Sequence, residues 1–137
     1  NSLAPGKRPL TNMCPVIACR RDKAWFAIGA SGGRKIFPAV LQISSFLADH
    51  GLSLDDAFHH PRIDASEAEY VALDPRLPDP VRKALAKKFP VRLNELLVYP
   101  TNYACPSAVL RDTKKRENSG MTDVMSPWSG AVSESNA

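Results

Sequence analysis

The first half of the chain carries an order of local patterns that few folds can accommodate. Two apolar runs, Pro15–Cys19 and Ala24–Gly29, flank the polar residues Arg20–Lys23, and this arrangement predicts a β-hairpin. Both runs are almost continuously apolar, which is typical of strands in a sheet that is covered on both faces. The small residues Gly29–Gly33 predict a loop. Ile36–His50 then predicts a helix with a broad buried face, because apolar side chains recur at spacings of three and four.

Shorter elements are predicted downstream. Helices are expected from Ser53 to His59 and from Asp79, as N-cap, to Lys88, and strands at Arg62–Asp64, Tyr70–Leu73, Val91–Leu97 and Ser107–Arg111. The charged and polar residues 112–120 are expected to form a loop. Strands with a minority of helices predict an α/β or α+β fold.

The composition excludes several classes of protein. Hydrophobic residues make up 44% of the 137 residues and the net charge is +4, which excludes a largely disordered chain. No run approaches the roughly 20 apolar residues that a membrane-spanning helix needs, so no membrane span is predicted. The basic residues are spread along the chain without interleaved aromatic residues, so we expect no nucleic-acid partner.

Neither a metal site nor a cofactor is expected. The three cysteines, Cys14, Cys19 and Cys105, lack the spacing of zinc ligands and are expected to be buried free thiols. His59 and His60 are adjacent on a helix and diverge by about 100°, so they cannot chelate one ion together. No P-loop pattern is present. The chain also begins without an initiator methionine, so we expect it to be a piece of a longer protein.

The loop Ala30–Gly33 is the strongest candidate site. It lies between a buried strand and the first turn of a long helix, where backbone N–H groups lack intrahelical partners and meet the positive end of the helix dipole. Paired glycines leave this backbone accessible to a ligand. These features favour an anion site or an oxyanion hole. The alternative is a turn that needs its glycines only for positive φ.

A second candidate site is the pair Thr11 and Asn12, two short polar side chains held between prolines. They could donate hydrogen bonds to a carboxylate, or they could simply close a turn.

Three acidic residues, Asp64, Glu67 and Glu69, are expected to face water. No GxSxG motif is present and no cysteine stands near a histidine, so the sequence offers no convincing nucleophile.

With these residues in view, the chain resembles the gamma-glutamyltransferase family. Its segment Pro5–Pro15, PGKRPLTNMCP, is similar to the family's PGKRPLSSM-x-PT. The run Gly29–Gly33 is similar to the family's G-S/A-x-G-G loop. Gly51–Ala57 and Pro61–Ile63 resemble its pattern G-M/L-x-L-x-x-A followed by PR-F/I/L.

The resemblance implies part of the αββα sandwich of N-terminal-nucleophile hydrolases. It is strong over residues 1–64 and loose over residues 65–137, and it corresponds to the C-terminal segment of the family's small subunit rather than to a complete catalytic domain. The family's nucleophile is a threonine that opens the small subunit, upstream of this match. No threonine of this chain matches it, so the isolated chain is expected to be inactive.

Site roles also follow from the resemblance. Gly32 and Gly33 match the paired glycines whose backbone N–H groups stabilise the oxyanion. Thr11 and Asn12 stand where the family has paired serines that bind the substrate's α-carboxylate. This replacement keeps hydrogen-bonding capacity but changes size and chemistry. An acylase or amidohydrolase acting on another acyl group is therefore an alternative, and a non-catalytic binding module is a further one.

The implied reaction is the cleavage of gamma-glutamyl amides such as glutathione through an acyl-enzyme, with transfer of the acyl group to water or an amine. The implied partners are the large subunit and the N-terminal part of the small subunit of the same precursor, together with a small-molecule amide substrate. Family members are often exported.

Overall fold

The computed structural model describes residues 2–98 and 102–132. Its strands are β1 (Val16–Arg20), β2 (Lys23–Ser31), β3 (Ile63–Asp64), β4 (Val71–Leu73), β5 (Val91–Leu93), β6 (Cys105–Asp112) and β7 (Glu117–Thr122). Its helices are α1 (Ile36–Ala48), α2 (Leu54–His59) and α3 (Asp79–Ala86), and a 3-10 turn, Gly33–Lys35, leads into α1. This mixture of strands and helices confirms the predicted α+β class. None of the helices in the described ranges has the length and apolar character that crossing a bilayer requires.

Four strands form an antiparallel sheet in the order β1-β2-β6-β7. β1 and β2 are the predicted hairpin. Its turn is tighter than expected, because Arg21 and Asp22 both take positive φ, 51° and 59°. Positive φ at both central residues is the requirement of a type I′ turn, whose twist suits the flanking strands. β6 pairs with β2 from Phe26 opposite Leu110 to Ser31 opposite Cys105, so the C-terminal part of the chain enters the middle of the sheet.

Helices α1 and α2 cover one face of this sheet. The core cluster consists of Phe26, Ile28, Ile36, Val40, Ile43, Leu47, Leu54, Ala57, Phe58 and Ala108. It includes the α1 residues Ile36, Val40, Ile43 and Leu47, which recur at the spacings of three and four that predicted this helix. Burial of each large aliphatic side chain in such a core stabilises the fold by about 1.5–3 kcal/mol. The start of α2 is capped as expected, since the Ser53 hydroxyl accepts a hydrogen bond from the Asp56 N–H at 3.0 Å.

The opposite face of the four-stranded sheet is open within the described chain. Ile17, Ala27 and Val109 lie side by side across three strands of this face, since Ala27 pairs with both of the others. Ile17 is 78% exposed and Val109 is 57% exposed. We call this row the open face. The near-continuous apolar character of β1 and β2 therefore reflects two apolar faces, of which the described chain covers one.

A smaller sheet has the order β3-β4-β5, with β4 and β5 parallel and α3 between them in the chain. Gln42 joins it to α1. The Gln42 amide nitrogen donates to the carbonyls of Pro38 and Ile63, each at 2.7 Å, and its amide oxygen accepts from the Ile63 N–H at 2.9 Å. One side chain thus takes the place of a neighbouring strand for the backbone of β3.

Several predictions about local structure were wrong. Residues 112–120 are not a loop, because β7 begins at Glu117 and pairs with β6 along its length. Its polar residues are compatible with an edge strand, one side of which faces solvent. β5 ends at Leu93, well before Leu97, and Pro78 rather than Asp79 occupies the N-cap position of α3.

The cysteines are free, as expected, but none is fully buried. Cys19 is exposed, and Cys14 and Cys105 are half-buried. Cys19 lies on the edge strand β1, where the sheet offers no neighbour to cover it.

Candidate active site

Gly32 and Gly33, which we call the glycine pair, begin the connection between β2 and α1. β2 extends to Ser31, so only these two glycines of the predicted loop lie outside the strand, and the 3-10 turn Gly33–Lys35 completes the connection. Gly32 has a φ of 136° and Gly33 a φ of 61°, both in the region that favours glycine. The Lys35 N–H donates to the Gly32 carbonyl at 3.3 Å and closes the turn. The sequence pattern correctly located a glycine turn ahead of a helix.

The two glycines have different surroundings. A Cβ added to Gly32 would lie 2.8 Å from the Cα of Ala104 and 2.9 Å from its Cβ, so the main chain of Gly32 lies against Ala104, the residue that precedes β6. A Cβ added to Gly33 would meet nothing within 4 Å. The accessible side of the glycine pair is therefore at Gly33.

The local charge around the glycine pair is positive. Arg34 and Lys35 follow it directly, and the first turn of α1 contains no acidic residue. No side chain of the N-cap residue bonds to the first amides of α1. The positive end of the helix dipole and the nearby cations favour a negatively charged oxygen at this position.

Thr11 and Asn12 lie on the exposed segment that precedes β1. Val16 is opposite Ile28, so the chain ahead of Val16 approaches the end of the sheet at which β2 leads into the glycine pair. The chain thus enters β1 from the end of the sheet that carries the glycine pair. The Thr11 hydroxyl accepts a hydrogen bond from the Met13 N–H at 3.2 Å, a local bond that a turn-forming threonine would also make.

A buried group of charges was not predicted from the sequence. Arg62 and Asp123 are 3% and 4% exposed, and an Arg62 Nη2 to Asp123 Oδ1 distance of 3.8 Å separates them. Arg62 Nη1 and Asp123 Oδ2 have no hydrogen-bond partner in the described part of the chain. Burial lowers the pKa of Arg62 and raises the pKa of Asp123. Asp64 was expected to face water, and this prediction was wrong, because Asp64 is only 3% exposed. Its carboxylate accepts hydrogen bonds from the N–H and the hydroxyl of Ser66.

The start of β6 connects these charges to the glycine pair. Cys105 pairs with Ser31 in the sheet, and Asp123 lies close enough to act on the charge of its thiol. Burial, reinforced by Asp123, raises the pKa of this thiol. A raised pKa disfavours the thiolate, so Cys105 is not suited to act as a nucleophile. The described residues contain no group of three His, Cys, Asp or Glu side chains that could hold a metal ion.

Comparison with known proteins gives consistent matches. The family model described as Gamma-glutamyltranspeptidase matches residues 1–129. The acylase ACY 1 proenzyme of Pseudomonas sp. (strain SE83) is 39% identical over 84 residues, which make up 61% of this chain and 15% of that protein. The glutathione hydrolase proenzyme of Escherichia coli (strain K12) is 39% identical over 62 residues, or 45% of this chain and 11% of that protein. The chain thus corresponds to a small part of each relative.

Solved structures show the same fold. The gamma-glutamyltranspeptidase from Pseudomonas nitroreducens complexed with L-DON has a TM-score of 0.75 to this chain at 21% sequence identity. The alignment covers 98% of this chain and 68% of that one. Nearly every described element therefore has a counterpart there, and about a third of the matched chain has none here.

Proposed function

This chain belongs to the gamma-glutamyltranspeptidase family of N-terminal-nucleophile hydrolases, and from that membership we propose that it is the C-terminal segment of a small subunit. Residues 1–137 would form part of a catalytic domain rather than the whole of one. The large subunit and the N-terminal part of the small subunit, derived from the same precursor, would complete the enzyme. The names of the acylase and glutathione hydrolase relatives, both proenzymes, support processing of a longer precursor.

The proposed enzyme cleaves gamma-glutamyl amides such as glutathione. The hydroxyl oxygen of an upstream threonine attacks the amide carbonyl, and the former carbonyl oxygen takes a negative charge. When this intermediate collapses, the carbon–nitrogen bond breaks, the amine leaves with a proton, and an acyl-enzyme ester remains. Water or a second amine then attacks the ester, and the threonine recovers its proton.

The glycine pair would stabilise the negative oxygen in both steps. The observation that supports this role is the open space beside the backbone of Gly33, which begins the 3-10 turn leading into α1 in a chain of this family. Backbone N–H groups at a helix N-terminus are fixed in advance, so they need no reorganisation when charge develops. Loss of one such donor typically raises the barrier by about 3–4 kcal/mol.

Thr11 and Asn12 would contact the acyl group. Their hydroxyl and amide groups could bind the α-carboxylate of a glutamyl donor, but they differ from paired serines in size. This difference, with the 39% identity to an acylase, favours an amide hydrolase for another acyl group as the second candidate function. Both candidates use the same acyl-enzyme chemistry.

The test begins with the longer precursor that contains this chain. We expect the purified precursor to cleave itself into two subunits, with this chain in the smaller one, and to release p-nitroaniline from L-gamma-glutamyl-p-nitroanilide. The variant T11S/N12S separates the two candidates. If the enzyme acts on another acyl group, this exchange should fail to improve gamma-glutamyl turnover, and a series of acyl anilides would identify the group; a gain in gamma-glutamyl turnover supports a gamma-glutamyl donor. A precursor that neither cleaves itself nor hydrolyses any of these anilides would contradict both candidates.

A further inference from the structure

Gly32 and Ala104 are in close contact. Ala104 is 2% exposed, and the space that a Gly32 side chain would need is taken by the Cα and Cβ of Ala104. The main chain of Gly32 therefore lies directly on residue 104, with no room for another carbon atom between them. Packing this dense transmits small displacements rather than absorbing them.

Ala104 is itself held in place by its two neighbours. Tyr103 is 4% exposed, and its hydroxyl donates to the Asn94 carbonyl at 2.9 Å, just beyond the end of β5. Cys105 pairs with Ser31 in the sheet. The fold thus fixes the position of Ala104 from the small sheet on one side and from β2 on the other.

We propose that Ala104 is a positioning residue that sets the direction of the Gly32 and Gly33 amides. The inference rests on the proposed role of the glycine pair as an oxyanion hole. Neither glycine has a side chain to anchor the turn, and Gly33 has open space around it. The contact at Gly32 therefore restricts the shape of the turn. Without this contact, the φ of 136° at Gly32 would be one of many values open to a glycine.

The test compares two equal enlargements on one stretch of chain. Ala104→Val adds two methyl groups next to Gly32. Ala108→Val adds the same volume at a residue that is 6% exposed and lies opposite Ile28, in the core beneath the sheet. In the processed enzyme, we expect A104V to lower kcat by about 10–100-fold while KM changes little, because misplacement by about 1 Å costs up to about 10²-fold in rate. A108V is expected to lower Tm without this loss of kcat. A104S, which is a smaller enlargement at the same position, is expected to retain most of the parent's kcat.

A second readout does not depend on turnover. Amide hydrogen exchange of peptides that contain Gly32 and Gly33 should be faster in A104V than in the parent protein and unchanged in A108V. Equal kcat in A104V and A108V, or equal exchange of these peptides, would overturn the positioning role. An inactive parent precursor would instead contradict the proposed function, and the exchange comparison would still decide whether Ala104 holds the turn.

Discussion

At the scale of single residues, the buried carboxyl group of Asp123 makes the stability of the fold depend on pH. Burial raises the pKa of its carboxyl above the ordinary 3.8, although the Arg62 guanidinium opposes this effect. The folded protein therefore keeps the Asp123 proton to a higher pH than the unfolded chain does. The contribution of this group to stability is complete below the unfolded pKa and is lost as the pH rises through the folded pKa.

Asp123→Asn should flatten the fall in stability as the pH rises from 3.8, even though it removes one of the carboxylates that offset the buried charge of Arg62. Urea unfolding midpoints measured across a pH series would detect the change in slope. Asp112→Asn is the control with the opposite sign, since backbone N–H groups of Lys115 and Lys114 lower the pKa of the exposed Asp112 carboxyl. The same slope in D123N and in the parent would refute the assignment.

Gly33 offers a residue-scale test of the proposed oxyanion hole. Gly33→Ala should reduce kcat in the processed enzyme by roughly 10²–10³-fold, because the new Cβ enters the open space beside the amides. Gly51→Ala is a matched control. Gly51 has a φ of 65° against 61° for Gly33, and a Cβ there also meets nothing within 4 Å. Both variants bear a similar backbone strain of about 1–2 kcal/mol, so a loss of kcat shared by G51A would contradict the catalytic role.

At the scale of secondary-structure elements, Gln42 is the side chain that joins α1 to the small sheet. Gln42→Ala leaves the N–H and carbonyl of Ile63 without this partner, and we expect the free energy of unfolding to fall by about 1–3 kcal/mol. Ser45→Ala on the same helix removes only the exposed hydrogen bond to Asp49 and serves as the control. Chemical denaturation of both variants measures the difference. An equal effect of Q42A and S45A would show that the bridge adds no stability.

The elements also separate what the sequence can predict from what it cannot. The α1 helix and the β1–β2 hairpin were predicted because their periodicity and turn residues are local. β7 was missed, because its polar residues have no strand signal of their own and pair with β6. The burial of Arg62 was missed for a related reason: its countercharge, Asp123, is distant in the sequence and becomes adjacent only in the fold. The turn at the glycine pair was predicted from its local pattern, whereas the contact of Gly32 with Ala104 was not.

At the scale of the whole molecule, we expect this chain to be inactive by itself. The isolated 137-residue chain is expected to release no p-nitroaniline from L-gamma-glutamyl-p-nitroanilide, because none of its threonines matches the family's nucleophile. Escherichia coli glutathione hydrolase under the same conditions is the positive control. Release above the rate of a heat-denatured sample would contradict the proposed division of the active site between segments.

The open face is consistent with that division. Ile17, Ala27 and Val109 form an apolar row on the side of the sheet away from α1 and α2. In the proposed αββα sandwich, a second sheet would pack against this row, and sheets packed in this way lie about 10 Å apart. The rest of the precursor would then supply both that sheet and the nucleophile.

The pairing of β2 with β6 has a consequence for the order in which the protein folds. During synthesis, the β1–β2 hairpin and α1 leave the ribosome long before Cys105, the partner of Ser31. At about 5–20 residues per second, the inner edge of β2 stays unpaired for several seconds, a state prone to association with other chains. Ala104 reaches Gly32 only at the end of this interval. The turn that would hold the oxyanion thus takes its shape only after β6 has begun to be made, so a ribosome that stalls before it adds Ala104 leaves the turn without this contact.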